Sequence, residues 1–167
     1  MKLRPYIADL DFEKIKNWMT DERAHVLWCA NRFQFPLKRE NMDAVLKEHA
    51  VQYKDSPFVA TSDKGDVIGF FCYGLNEEKN EGMLKFVAVA PHFRGKGVGR
   101  EMVAMAVRYG FDITQADTIR LSVFSENPAA KRCYQAVGFA EQTFTENAFR
   151  FQGEAWGRCG MAIRRKD

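Results

Sequence analysis

Between residues 83 and 109 the hydrophobic pattern changes period across a run of alternating glycines. Met83 to Val89 reads as a strand that Pro91 stops. Arg94-Gly95-Lys96-Gly97-Val98-Gly99 follows, after which Val98, Met102, Met105, Ala106 and Tyr109 recur on one helical face. A strand joined to a helix through glycines gathers successive backbone N–H groups into one concavity, where the helix N-terminus adds partial positive charge. That suits an anionic phosphate, and Arg94, Lys96 and Arg100 add charge beside it, although the same glycines also serve a plain tight turn. Spacing excludes two phosphate-binding modules. A Walker loop needs Gly-x-x-x-x-Gly-Lys followed by Ser or Thr, and no Lys-Ser or Lys-Thr pair follows these glycines. The dinucleotide fingerprint Gly-x-Gly-x-x-Gly fails as well, because Gly95, Gly97 and Gly99 alternate and position 100 is Arg.

The rest of the chain supplies a sheet and its helices. Leu3 to Ile7 predicts a short strand, and Asp11 is the expected N-cap of a helix through Met19 carrying Phe12, Ile15 and Trp18 or Met19. From Lys38, the residues Met42, Val45, Leu46, His49 and Tyr53 keep helical spacing until Asp55-Ser56-Pro57. The segment between these helices reads as irregular and aromatic; Trp28, Phe33 and Phe35 before Pro36 either cap the core or line a pocket. Phe58 to Thr61 and Val67 to Tyr73 form an expected hairpin, its second strand apolar on both faces and therefore central. Thr118 to Phe124 alternates as a strand. Asn127-Pro128 opens a helix that Gly138 ends, with Ala130, Cys133, Tyr134 and Val137 on its apolar face, and Phe139 to Phe144 and Trp156 to Ile163 close the sheet. The order predicts one mixed α/β (α+β) domain over residues 1–167.

Composition narrows the function classes. With 25 Lys+Arg against 22 Asp+Glu the net charge is +3, too small to argue for nucleic acid; the basic run Arg164-Arg165-Lys166 is expected to be a solvated tail. No stretch approaches the ~20 apolar residues of a membrane span. The N-terminus runs into Asp9 and Asp11 instead of an apolar signal core, so a cytoplasmic setting is expected. Cys29, Cys72, Cys133 and Cys159 lie far apart and are expected to be reduced core residues. His25 and Cys29 sit four apart, but two ligands with no second pair give no metal site.

The motifs resemble those of the GNAT superfamily of acyl-CoA N-acyltransferases. Its Arg/Gln-x-x-Gly-x-Gly/Ala is matched by Arg94, Gly97 and Gly99, and its Asn-x-x-Ala-x-x-x-Tyr-x-x-x-Gly-Phe by Asn127, Ala130, Tyr134, Gly138 and Phe139, in family order. The N-terminal half, with Trp18, Trp28, Phe35 and Pro36, is similar to the branch containing ribosomal-protein N-terminal and polyamine acetyltransferases. The resemblance implies a mostly antiparallel sheet of about seven strands, splayed at the cofactor site, with helices on both faces. Residues 83–139 would form the cofactor core and residues 1–56 the acceptor side.

It also implies acetyl transfer from acetyl-CoA directly to a primary amine of a small molecule or peptide N-terminus, and a homodimer. The exposed backbone of Phe86, Val87, Ala88 and Val89 would pair with the pantetheine arm, and the Val89 amide, or one beside it, would hold the oxyanion. The amides of Arg94, Gly95, Lys96, Gly97, Val98, Gly99 and Arg100 would hold the pyrophosphate. Asn127 and Ala130 belong to the pantetheine side; Lys131 or Arg132 would reach the ribose phosphate or adenine. The Tyr134 hydroxyl would protonate the leaving thiolate. Periodicity alone reads Tyr134 as a packing residue. Where some relatives carry a basic glutamate this chain has Met83, which leaves Glu77, Glu78, Glu81, Glu126 and His92 as candidates by proximity alone. A non-catalytic acyl-CoA-binding or sensing module is the alternative. For the acceptor, Trp18, Trp28, Phe33 and Phe35 would line the pocket, with Asp21 or Glu22 attracting a cation.

Overall fold

A computed structural model describes residues 1–166. In chain order the elements are β1 (Lys2–Pro5), α1 (Ala8–Ile15), α2 (Glu22–Cys29), α3 (Arg39–Tyr53), β2 (Ser56–Thr61), β3 (Val67–Asn76), β4 (Glu81–Val89), α4 (Val98–Arg108), β5 (Thr118–Phe124), α5 (Pro128–Val137), β6 (Ala140–Phe151) and β7 (Glu154–Arg164). The strands form one seven-stranded sheet in the order β1-β2-β3-β4-β5-β7-β6. Only β4 and β5 pair in parallel; all other neighbours are antiparallel. This is the mixed architecture expected from the sequence.

β3 is central because both of its faces are covered. Phe70 and Cys72 pack toward α1 and α3 with Phe12, Ile15, Met42 and Leu46, whereas Phe71 and Tyr73 pack toward α4 with Met102, Val103 and Ala106. Burying each large apolar side chain contributes ~1.5–3 kcal/mol, so these two layers dominate the stability of the sheet. A third, smaller cluster joins Val26 of α2 to Trp156 and Phe151, which ties α2 to the far edge of the sheet. Helix α2 thus spans from β4 to β7.

Four expectations change. Asp11 is not the N-cap of α1; Ile7 occupies that position without a capping side chain, and the buried Asp11 carboxylate reaches back to accept the Ile7 N–H at 2.8 Å. The irregular segment contains helix α2, capped by Asp21, which accepts the Ala24 N–H at 2.8 Å. The closing strands β6 and β7 are longer than their apolar runs, because β6 stays largely exposed and carries polar residues. Arg165 is no solvated tail. It donates to Phe111 O at 2.6 Å, Ala116 O at 3.2 Å and Gln115 Oε1 at 2.9 Å, clamping the π-helical turn Tyr109–Ile113 that follows α4.

Candidate active site

The site begins where the sheet parts. β4 and β5 pair only at Glu81 with Thr118, Gly82 with Ile119 and Met83 with Arg120, and from Leu84 onward they diverge. A 2.7 Å ion pair from Arg120 to Glu81 pins the junction and holds the Glu81 carboxyl below its usual range. On the other side, Phe70 pairs with Ala88 and Cys72 with Lys85, so Phe71 alone opposes Phe86 and Val87 in a β-bulge. Phe86 takes a left-handed φ of +53°, a conformation that costs ~1–3 kcal/mol for such a residue. Its ring is held against Phe33 and His49, with centroids 4.7 Å and 5.3 Å away, and its carbonyl accepts the Trp28 indole N–H at 2.8 Å.

Past the bulge, the Ala90 N–H donates to Ile68 O of β3. Alternation along a strand therefore turns the N–H and C=O of Val89 away from β3, toward the gap. The carbonyl is taken by Arg94 Nε at 2.9 Å. The amide is left facing the opening, the orientation an oxyanion donor needs.

The glycine loop closes one end of the gap. Gly95 and Gly97 have φ of +72° and +81°, and a Cβ at either would meet nothing within 4 Å, so the backbone turn and not crowding calls for glycine. The amides of Val98, Gly99 and Arg100 stand in the first turn of α4, and Glu101 N–H is the first to find Gly97 O, at 3.0 Å. The resulting cleft of about 2000 Å³ is lined by β4, Arg94, Gly95, Gly97, Gly99, Arg100, Asn127, Ala130, Arg132, Cys133 and Tyr134.

Not every expected residue points there. Lys96 and Val98 are outside the lining, and the Lys131 ammonium is paired with Glu141 at 2.6 Å. The Arg94 guanidinium, whose pKa burial draws down, joins Val89 O to Trp18 O at 3.0 Å, so it braces the strand end. Asn127 caps α5, accepting the Ala130 N–H at 3.2 Å through Oδ1 and leaving its amide hydrogens to donate. Cys133, expected in the core, is only half-buried and lies against Gly99 on the cleft wall. Burial pushes its thiol up, partly opposed by Arg100, which keeps it protonated and a poor nucleophile.

Tyr134 is buried, yet it lines the cleft, and among the described residues no group hydrogen-bonds its hydroxyl. Burial, with Cys133 beside it, raises its pKa well above the ordinary phenol value, so it stays protonated at neutral pH.

The expected acceptor side carries α2 and α3. Trp28 lines the main cleft, Phe33 is buried beneath it, and Trp18 and Phe35 line a separate cavity of about 340 Å³ with His25. Glu77 and Glu78, in the β3–β4 turn, line the cleft at the end where β4 and β5 stay paired, whereas Glu126 accepts from Ser125 at 2.6 Å and His92 lies outside the lining. His25 Nε2 donates to Phe33 O at 2.9 Å and lies 3.3 Å from Cys29 Sγ, a packing arrangement. Among the described residues no group of three His, Cys, Asp or Glu is placed to hold a metal. No described helix is long and apolar enough to cross a membrane.

One cluster escaped sequence reading. Buried Asp55 accepts from His49 Nδ1 at 2.9 Å and from Lys85 Nζ at 2.8 Å, and both partners line the cleft beside the bulge. A Cβ at Gly74 would run into Asp55 Oδ1, so that glycine makes room for the carboxylate. His49 fell on the periodic face of α3 and read as packing. Lys85 is 30 residues beyond Asp55, a separation that carries no local signal.

A parted sheet, a glycine loop at a helix N-terminus and a buried phenol without a hydrogen-bond partner meet at this one cleft. The chain belongs to the acetyltransferase (GNAT) family, whose profile matches residues 12–139 and whose members use acetyl-CoA. It is 33% identical over 82 residues to a probable spermine N(1)-acetyltransferase of Bacillus subtilis subsp. natto, covering 46% of this chain and 54% of that protein. It is 34% identical over 67 residues to the spermidine N(1)-acetyltransferase of Vibrio cholerae, covering 40% and 39%. The matched region thus spans about half the length of the first of these relatives, or less. The fold matches the crystal structure of spermidine N-acetyltransferase from Vibrio cholerae in complex with CoA and spermine with a TM-score of 0.82, at 24% identity, over 98% of this chain and 94% of that one.

Proposed function

We propose that the protein moves the acetyl group of acetyl-CoA directly to a primary amine of a small polycation of the polyamine class. The observation that carries this reading is the divergence of β4 from β5 after Met83, which turns the Val89 amide into an open gap between the α4 N-terminus and the Tyr134 hydroxyl. The pantetheine arm would lie along Phe86 to Val89, with Asn127 donating to it, and the thioester carbonyl oxygen would meet the Val89 amide. The pyrophosphate would sit on the amides of Gly95, Gly97, Gly99 and Arg100, and Arg100 and Arg132 would meet the outer phosphates. As the amine adds to the carbonyl carbon and the C–S bond breaks, the Tyr134 phenol gives its proton to sulfur. The protonated, half-buried Cys133 thiol disfavours a covalent acetyl-enzyme. Residues 83–139 act as the donor half and residues 1–56 as the acceptor half.

Exposed Glu77 and Glu78 on the cleft lining suit a cationic acceptor, and the named activity of the relatives supports a polyamine. The four free cysteines fit a reducing cytoplasm. The exposed edge strand β6, with Phe144 half-exposed, is where a second copy would dock in a homodimer. Thiol release from acetyl-CoA, followed over a panel of polyamines, simple alkylamines and peptides with free N-termini, tests the reading. Turnover is expected with polyamines. CoA binding without turnover on any amine would favour the sensing module instead.

A further inference from the structure

The proposed reaction needs a proton acceptor, and the glutamates near the strand supply none that is free beside the bulge: Glu81 is held by Arg120, and Glu77 and Glu78 stand at the exposed turn. The His49 cluster offers one. A carboxylate only accepts, so the 2.9 Å contact with Asp55 fixes the hydrogen of neutral His49 on Nδ1 and leaves Nε2 with a lone pair. Among the described residues the only fully buried side-chain polar atom without a partner is His25 Nδ1. His49 Nε2 has no protein partner either, so it reaches open space, and the open space that His49 lines is the cleft. Its ring packs 5.3 Å from that of Phe86, the residue at which the strand bulges.

Asp55 is itself fixed. Lys85 bridges both of its oxygens, at 2.8 Å and 3.0 Å, and the ammonium sits 4.2 Å from the centre of the Tyr53 ring. The charges of Asp55 and Lys85 offset each other, so the pair orients the imidazole without setting a net cation against a cationic acceptor. The titratable groups around His49 are Asp55 and Tyr53 from its own end of α3, Lys85 from β4 and, behind Asp55, the buried Cys72 thiol of β3, which burial keeps protonated.

We infer that His49 is the general base of acetyl transfer and that Asp55 and Lys85 are its positioning residues; this rests on the acetyl-transfer reading above. His49 Nε2 removes a proton from the acceptor ammonium and frees the lone pair that forms the C–N bond. The C–S bond then breaks, sulfur takes the Tyr134 proton, and the tyrosinate recovers it from the cationic amide nitrogen. The imidazolium releases its proton to water, so the products are the acetamide, free thiol and one proton.

The role predicts a dependence on acceptor basicity that a packing residue would not produce. The experiment compares wild type and His49→Gln with two probes, a strongly basic alkyl polyamine and trifluoroethylamine, which is largely neutral at neutral pH. Loss of kcat/KM by ~10²-fold or more is expected with the polyamine and by less than tenfold with trifluoroethylamine. CoA affinity by calorimetry, unchanged within about twofold, reports that the variant is folded. Equal losses with both amines, or no loss with either, would overturn the assignment while leaving acetyl transfer standing; a wild type that binds CoA and acetylates neither amine would overturn both. Should the glutamine variant fail to fold, carbethoxylation of the His92→Gln protein replaces it. Polyamine turnover lost in step with modification mapped to His49 supports the role, and full turnover with His49 modified overturns it.

Discussion

The indole N–H of Trp28 donates to the carbonyl of Phe86 at 2.8 Å, so helix α2 holds the bulge at the one residue of β4 with a left-handed backbone. Replacing Trp28 with Phe keeps an aromatic ring beside Phe33 and removes this bond together with part of the packing on His25, Phe70 and Phe86. A lost hydrogen bond that strands a part-buried carbonyl costs ~1–2 kcal/mol. In a domain of this size that lowers Tm by ~2–8 °C, and the loosened bulge raises KM for acetyl-CoA. Calorimetric scans and steady-state kinetics check both; an unchanged Tm would show that the bulge is held by packing alone.

Tyr134→Phe removes the proposed acid without changing the packing of the ring. Turnover should fall by ~10²-fold or more while calorimetric CoA affinity stays level. The sign of the pH effect follows from burial, which raises the phenol pKa. The group keeps its proton through pH ~10, so no descending limb below that pH belongs to it, and the linked stability is lost only as pH climbs past the unfolded phenol value of ~10. A descending limb near pH 8 that vanishes in the Phe variant would contradict this.

The basic side chains of α4 and α5 should separate by partner. Arg100 and Arg132 line the cleft, whereas Lys131 is bound to Glu141 at 2.6 Å. Arg100→Ala and Arg132→Ala should each weaken CoA binding by ~10-fold, because each is proposed to give an outer phosphate a charge-assisted partner, and Lys131→Ala should change it by less than ~2-fold. Titrations with CoA and with 3′-dephospho-CoA read the difference.

Asp11 and Arg4 form a stability prediction remote from the chemistry. The Asp11 carboxylate is buried and accepts from Arg4 Nη1 at 2.8 Å, Arg4 Nη2 at 2.7 Å and the Ile7 N–H. Burial works to raise its pKa, but the Arg4 hydrogen bonds, the Ile7 amide and the Arg4 charge overcome it, and the net shift is downward. A lowered carboxyl contributes stability that is full above its unfolded value of ~3.9 and is lost as pH falls through the folded one. Asp11→Ala should cost ~2 kcal/mol, discounted because the Arg4 side chain is 33% exposed. Urea titrations at neutral pH and at low pH test it: the gap between wild type and variant should shrink on acidification.

Much of residues 83–139 was legible because the signals there are local. Asn127, Pro128 and Gly138 mark both ends of α5 to the residue, and β5 begins and ends where the alternation of Ile119, Leu121 and Val123 does. Residues 1–56 were harder. In α2, Val26 packs in one cluster while Trp28 and Cys29 pack in another, so no single apolar stripe marks the helix. The His49 cluster depends on Lys85 arriving from another strand and on the space left by Gly74. No periodicity encodes either.

Three rungs between β4 and β5 are a slender backbone coupling for a sheet of seven strands, and a shared side-chain core joins its two banks. The strands before the gap share a core with α1 to α3, and those after it meet them again through α4, α5 and α2. Anything that spans both banks acts on the whole molecule by mass action, adding ~2.7 kcal/mol when present at a hundred times its dissociation constant. The lifetime of the folded chain is thereby tied to the supply of whatever fills the cleft.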